Sequence, residues 1–205
     1  MTTQTDSVFD PSITSYYLKT FTGLDLSGQS LKDIEFESCS FIDCDLTDAV
    51  LRGVRLIECS FTDCRLNHVK LPSARFRGVV MERCKVVGVN WTTVEWSRLT
   101  RSSELTFREC VLTESVFFGL SLEDLVMQSC KAHAVDLREA QLKNADLSFT
   151  DFSDALFGRT NLTGADFTEA TNFDIDVLNN VMKGSKFSRL EAARLLTGLD
   201  IEIVD

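Results

Sequence analysis

The residues best able to do chemistry here are seven cysteines, and two of them stand five apart in FESCSFIDCDL, Phe36 to Leu46. Thiolates bind zinc, exchange disulfides or attack electrophiles. A zinc site needs four converging ligands, typically with C-x2-4-C spacing. The set Cys39, Cys44, Cys59, Cys64, Cys84, Cys110 and Cys130 does not follow that rule. Instead Cys39 and Cys59 are 20 apart, as are Cys44, Cys64 and Cys84, and then Cys110 and Cys130. The two histidines, His68 and His133, belong to no familiar nucleophile or acid motif, and G-x-x-x-x-G-K-[ST], G-x-S-x-G and H-E-x-x-H are absent. The residues therefore predict no enzyme, no metal and no cofactor.

The spacing of 20 is explained by the element that carries the cysteines. Stepping by five from Phe21 lands on Phe21, Leu26, Leu31, Phe36, Phe41, Leu46, Leu51, Leu56, Phe61, Leu66, Leu71, Phe76, Met81, Val86, Trp91 and Trp96. Every one is large and apolar. The pattern stops at Arg101 and resumes one residue out of phase at Phe107, running to Phe167 with Ala132 as its one small member. A period of five fits neither a helix, at 3.6, nor a strand, at 2. Sustained over most of the chain, it is an architectural repeat.

Two residues before each centre stands a small residue, as at Ala145, Thr150, Ala155, Thr160 and Ala165. One small and one large inward residue per five turns the chain through one side of a square. Four sides make a coil of 20, and coils stack about 4.8 Å apart. All seven cysteines occupy the small inward position. They read as ladders of buried small residues, since free cysteine behaves as a small hydrophobe there. The core ladders include Phe21, Phe41 and Phe61, Cys44, Cys64 and Cys84, with Trp91 and Trp96 as large plugs where the coil is disturbed. A filled interior this narrow leaves no pocket for a small-molecule substrate.

The chain has 205 residues, 31 acidic and 21 basic, for a net charge of −10. That excludes an ordinary nucleic-acid binder, which presents a basic patch. No apolar run reaches the ~18 residues of a membrane span. The polar start MTTQTDSVFDP lacks an export signal, so the expected compartment is the cytoplasm, with reduced thiols.

NADLSFTDFSDALFGRTNLTGADF and the units before it resemble the pentapeptide-repeat family, with its consensus A-(D/N)-L-x-x, over about 21–172. The resemblance implies an all-β, right-handed quadrilateral parallel β-helix. VGVNWTTVEW before the break, LTFRECVLTESVFFGL after it, and the tail TNFDIDVLNNVMKGSKFSRLEAARLLTGLDIEIVD look most like the albicidin-resistance (AlbG-type) branch of that family, related to the Qnr, MfpA and McbG groups. This implies a DNA-mimicking protein that binds and protects DNA gyrase against an inhibitor such as albicidin or a quinolone. It also implies a homodimer made through the tail. The alternative is a rigid interaction scaffold for a non-topoisomerase partner.

These readings divide the chain into an N-terminal cap over 1–20, a β-helix over 21–172 and a C-terminal helical cap and dimerisation module over 173–205, whose helix, carrying Leu190, Leu195 and Leu196, is expected to cover the last coil. In the cap, Tyr16, Tyr17 and Leu18 are expected to cover the first coil. In the tail, Ser188 to Glu191 reads as a capping box, with Gly198 ending the helix. Leu190, Leu195, Leu196, Ile201, Ile203 and Val204 are the expected dimer contacts. The break near 97–106, carrying Arg98, Arg101 and Glu104, is a candidate specificity loop.

Between 134 and 176 nine acids face three bases, a net of −6, whereas 21–96 is nearly balanced with eleven acids and nine bases. Over about two coils that is one charge per ~1.7 Å, comparable to duplex DNA. Asp136, Glu139, Asp146, Asp151, Asp154, Asp166 and Glu169 are therefore the expected gyrase-binding acids.

Overall fold

The structure, a computed structural model, describes residues 8–96 and 105–199. Each five-residue unit is a short extended segment with its large residue inward, followed by a corner. The residue two after the centre makes the corner at positive φ, as at Asp48 (58°) and His68 (55°). Glycine, aspartate and asparagine bear that conformation at least cost, which explains their frequency there.

The residue just before the centre fixes the corner from the other side. Asp45 Oδ1 accepts from Thr47 N at 2.9 Å, and Asn161 Oδ1 accepts from Thr163 N at 3.1 Å. A short side-chain oxygen is what this local turn needs, so the D/N of the repeat is first of all a backbone cap.

Repetition of this unit gives an all-β parallel solenoid of about eight turns. Its first side is a six-stranded sheet of Thr20–Thr22, Ser40–Ile42, Ser60–Thr62, Val79–Glu82, Leu105–Arg108 and Val126–Gln128, each paired in parallel with the next. Its centres stack as Phe21↔Phe41↔Phe61↔Met81↔Phe107↔Met127. The Phe41 and Phe61 rings stack 4.6 Å apart and nearly parallel. The second side carries the Leu26 column and the third the Leu31 column. The fourth is the sheet Ser15–Tyr17, Glu35–Glu37, Arg55–Ile57 and Arg75–Arg77. The stacked centres form one continuous buried core, each large side chain contributing roughly 1.5–3 kcal/mol.

All seven cysteines are free and buried. They do more than fill space: Cys44 N donates to Cys64 Sγ at 3.3 Å, Cys64 N to Cys84 Sγ at 3.4 Å and Cys84 N to Cys110 Sγ at 3.4 Å. The thiols of Cys64, Cys84 and Cys110 thus each accept the inward-pointing amide of the coil before. Thr150 takes over this task below, accepting from Cys130 N at 3.1 Å. The neighbouring thiol and burial push Cys84 and Cys110 up to about 12, far from a reactive thiolate.

Four details differ from the sequence reading. At the N-terminal end Tyr16 is buried but Tyr17 and Leu18 are exposed. The cover is Phe9, packed against Tyr16, Phe21 and Phe36. The break is shorter than 97–106, because Leu105 and Thr106 already pair with Val79 and Val80. The register there steps from Met81 to Phe107, 26 instead of 20. Arg98, Arg101 and Glu104 lie outside the described residues.

In the tail, the capping box does not form. Ser188 Oγ is engaged by Glu169 instead, accepting from Glu169 N and donating to its carboxylate, both at 2.8 Å. The terminal helix, Glu191–Leu199, is of the 3₁₀ type and runs one residue past Gly198. Trp91 and Trp96 are also unequal. Trp91 is fully buried, against Phe76, Phe107 and Phe117. Trp96 is only partly buried and donates its indole N–H to Trp91 O at 3.1 Å.

Candidate partner-binding surface

The stacking register distributes the seven predicted acids over three sides of the rod. Asp146, Asp166 and Glu169 lie on the first side and its corner, Asp151 and Asp154 on the second, Asp136 and Glu139 on the third. The fourth side of the same coils presents Gln141, Lys143, Asn144, Asn161 and Thr163, with no acid. The structure therefore brings the acids together as a band, open on one side, rather than as a single face.

Most of these carboxylates already have work. Asp136, Asp146, Asp151 and Asp166 occupy the D/N position and cap Arg138 N, Ser148 N, Ser153 N and Thr168 N at 2.9–3.1 Å. Asp136 also pairs with Arg138 at 2.7 Å, and Glu139 with Arg159 one coil below. Asp166 pairs with Lys186 at 3.0 Å. That lysine lies outside the 134–176 window and neutralises part of its charge. Asp154 is exposed and has no partner among the described residues.

Asp151 holds the densest network. Its carboxylate accepts from Asn172 Nδ2 at 2.9 Å and from Ser153, and it meets His133 Nε2 at 2.9 Å. Burial would raise its pKa, but the hydrogen bonds from Asn172, Ser153 and His133 together hold it well below the carboxylate range. The Arg138 guanidinium lowers Asp136 despite its burial. Thr168, and then Lys186, lower Asp166. All three remain charged throughout the neutral range.

The tail offers apolar surface. Of the predicted dimer contacts among the described residues, only Leu195 packs on the core. Leu190 is 89% exposed, and Leu196 is exposed too. A cap over the last coil would have buried Leu190, so that part of the expectation fails. Ile201, Ile203 and Val204 lie outside the described residues.

Exposed Leu178, Val181 and Leu199 extend this apolar end. Phe118, Phe149 and Leu156 are exposed further up the rod. Sequence reasoning missed these, although a signal was present. Val181 and Leu156 directly precede centres, where the repeat places D or N, and Phe149 sits at a corner with φ 58°. A large apolar residue at an outward position of a regular repeat is legible once the period is known. No described helix is long and apolar enough to cross a membrane.

Comparison with known proteins agrees with this architecture. A family model described as a pentapeptide repeat region matches residues 34–105, and one described as pentapeptide repeats (8 copies) matches 136–171, together more than half of the chain. Among solved structures, full-length QnrB1, a plasmid-mediated fluoroquinolone resistance protein, is 22% identical with a TM-score of 0.53, over 91% of this chain and 90% of that one. A trypsin-treated variant of QnrB1 gives 21% identity and a TM-score of 0.56, over 93% and 90%. At this identity the likeness concerns the fold. No curated protein sequence matches the chain.

Proposed function

This chain belongs to the pentapeptide-repeat family, and on that premise we propose that it is a DNA-mimicking, gyrase-protecting protein. In this reading it binds DNA gyrase in the cytoplasm and shields it from an inhibitor such as albicidin or a fluoroquinolone. It acts by occupying a surface rather than by catalysis, and needs no cofactor. The observation that carries the reading is the likeness of the rod, over more than nine-tenths of its length, to a fluoroquinolone resistance protein.

The surface chemistry supports it. Acids on three sides of a narrow rod offer a basic DNA-binding surface what the phosphates of a duplex would offer. Two rods joined through exposed Leu178, Val181, Leu190, Leu196 and Leu199 would place both acidic bands beside a twofold axis, as an isologous contact requires. The second reading, a scaffold for a non-topoisomerase partner, draws on the capping role of four of the acids. Carboxylates needed by the backbone would be present whatever the partner.

The test is a gyrase supercoiling assay with purified protein, with and without albicidin or a fluoroquinolone. Restored supercoiling in the presence of drug, lost when Glu139 and Asp154 become Gln and Asn, is the expected result. If the protein neither protects nor inhibits gyrase, and a pull-down recovers another protein in stoichiometric amount, the scaffold reading replaces it.

A further inference from the structure

The acidic band is not fully open, because the chain's own C-terminal segment already sits on it. Lys186 Nζ lies 3.0 Å from Asp166 Oδ2. Ser188 Oγ donates to Glu169 Oε1 at 2.8 Å. Arg194 Nη2 reaches Asn172 Oδ1 at 3.4 Å, and Asn172 in turn donates to Asp151. Three of the seven predicted partner-binding acids are thus held, directly or through one amide, by residues between 186 and 194.

The backbone of this segment joins the rod as one coil joins the next, through the parallel pair Asp166↔Lys186 and Phe167↔Phe187 and the Lys186 N–H donating to Ala165 O at 2.9 Å. The firm anchor is Phe187, stacked 4.9 Å from Phe167 and tilted against Phe173 at 5.3 Å. The polar ties lie outside that anchor, with Lys186 69% exposed at its side chain. Exposed pairs of this kind are weak and exchange readily with a competing cation. A tie that is made in the free molecule, and is weak enough to be traded, masks a surface without closing it permanently.

We infer that the C-terminal segment is an autoinhibitory contact. Lys186, Ser188 and Arg194 compete with a basic partner for Asp166, Glu169 and Asp151, so partner engagement and docking of the tail's polar edge oppose one another. This rests on the reading that the acids meet a basic partner, and it adds how access to them is regulated. It predicts that the molecule binds more tightly when the ties are cut and the Phe187 anchor is kept.

The test compares the wild type with Lys186→Met, Ser188→Ala and the double variant, in titrations against purified gyrase and against a nona-arginine peptide at low salt. Lys183→Met controls for the simple loss of one positive charge, because Lys183 is exposed one strand edge away and has no side-chain partner among the described residues. The expected result is affinity about two- to five-fold higher for Lys186→Met than for Lys183→Met, and a gain for the charge-neutral Ser188→Ala. Equal affinities for the two lysine variants, with no gain for Ser188→Ala, overturn the masking. Gains toward nona-arginine without any binding to gyrase leave the masking standing and sink the gyrase reading instead. Far-ultraviolet circular dichroism identifies any variant that has lost the fold, and Arg194→Gln then replaces it in the same comparison.

Discussion

At the scale of single residues, the cysteines decide between two accounts of the core. If they are only small hydrophobes, alanine should replace them at the cost of a little volume. The geometry says otherwise, since Cys84 Sγ accepts the amide of Cys64 and alanine would leave that buried donor unpaired. Cys84→Ala is expected to cost about 1–3 kcal/mol. Cys84→Thr is expected to cost less, because a threonine hydroxyl already serves this column at Thr150. Urea midpoints of the two variants check this, and equal losses would return the cysteines to mere filling. Corner glycines give a second contrast. An added Cβ at Gly28 meets open space, but at Gly88 it lies 2.5 Å from His68 Nδ1. Gly28→Ala therefore costs only the left-handed backbone, about 1–2 kcal/mol. Gly88→Ala costs more, and the excess should vanish in a His68→Ala background, as thermal melts would register.

At the scale of the repeating unit, the aspartate before each centre is a cap that happens to be charged. Asp136, Asp151 and Asp166 have folded pKa values below the ordinary ~3.9, so the stability they contribute is present above that value and is lost as pH falls through the folded pKa. The melting temperature is expected to stay level from about pH 7 to 5 and to fall below about pH 4. Asn161 caps its turn without charge. Changing these three aspartates to asparagine should therefore keep the fold at pH 7 and flatten the acid limb of the melting curve, and a variant unfolded at pH 7 would refute the capping account. This unit also marks what the sequence made legible. A period of five, with small and large residues in fixed places, is a strong signal, and it placed Phe21, Cys44 and Trp91 inside. The tail has no period. Whether Ser188 caps its own helix or turns to Glu169 depends on what the preceding coil presents, which local spacing does not encode. The acids were countable, but their partners 20 residues away were visible only once the coils were stacked, and Lys186 lay beyond the segment counted.

At the scale of the whole molecule, the rod is a stack in which position along the axis and function are separable. Removing residues 41–60 takes out one coil and joins Ser40 to Phe61, so the centre of the first side stays a centre and the columns re-form. Removing 137–156 likewise joins Asp136 to Phe157 on the third side and takes out one coil. Nearest-neighbour stacking makes the two deletions similar in kind, each losing one coil and one interface. Both are expected to remain folded, with a modest fall in melting temperature. Their effects on partner binding should differ. The first deletion leaves the acidic band and the apolar end in their mutual register. The second removes Glu139, Asp146, Asp151 and Asp154 and brings Asp136 one coil closer to the tail, leaving Asp166 and Glu169 where they were. Binding to gyrase should survive the first deletion and weaken on raising salt from 0.05 to 0.3 M, because screening shortens to about 10 Å by 0.1 M. It should be lost with the second. If both deletions bind alike, neither the acids between 137 and 156 nor Phe149 and Leu156 form the contact, and the apolar Phe118, Leu178 and Leu190 become the surface to alter next; if the second deletion abolishes a binding that ignores salt, Phe149 and Leu156, removed with the acids, are the residues to alter.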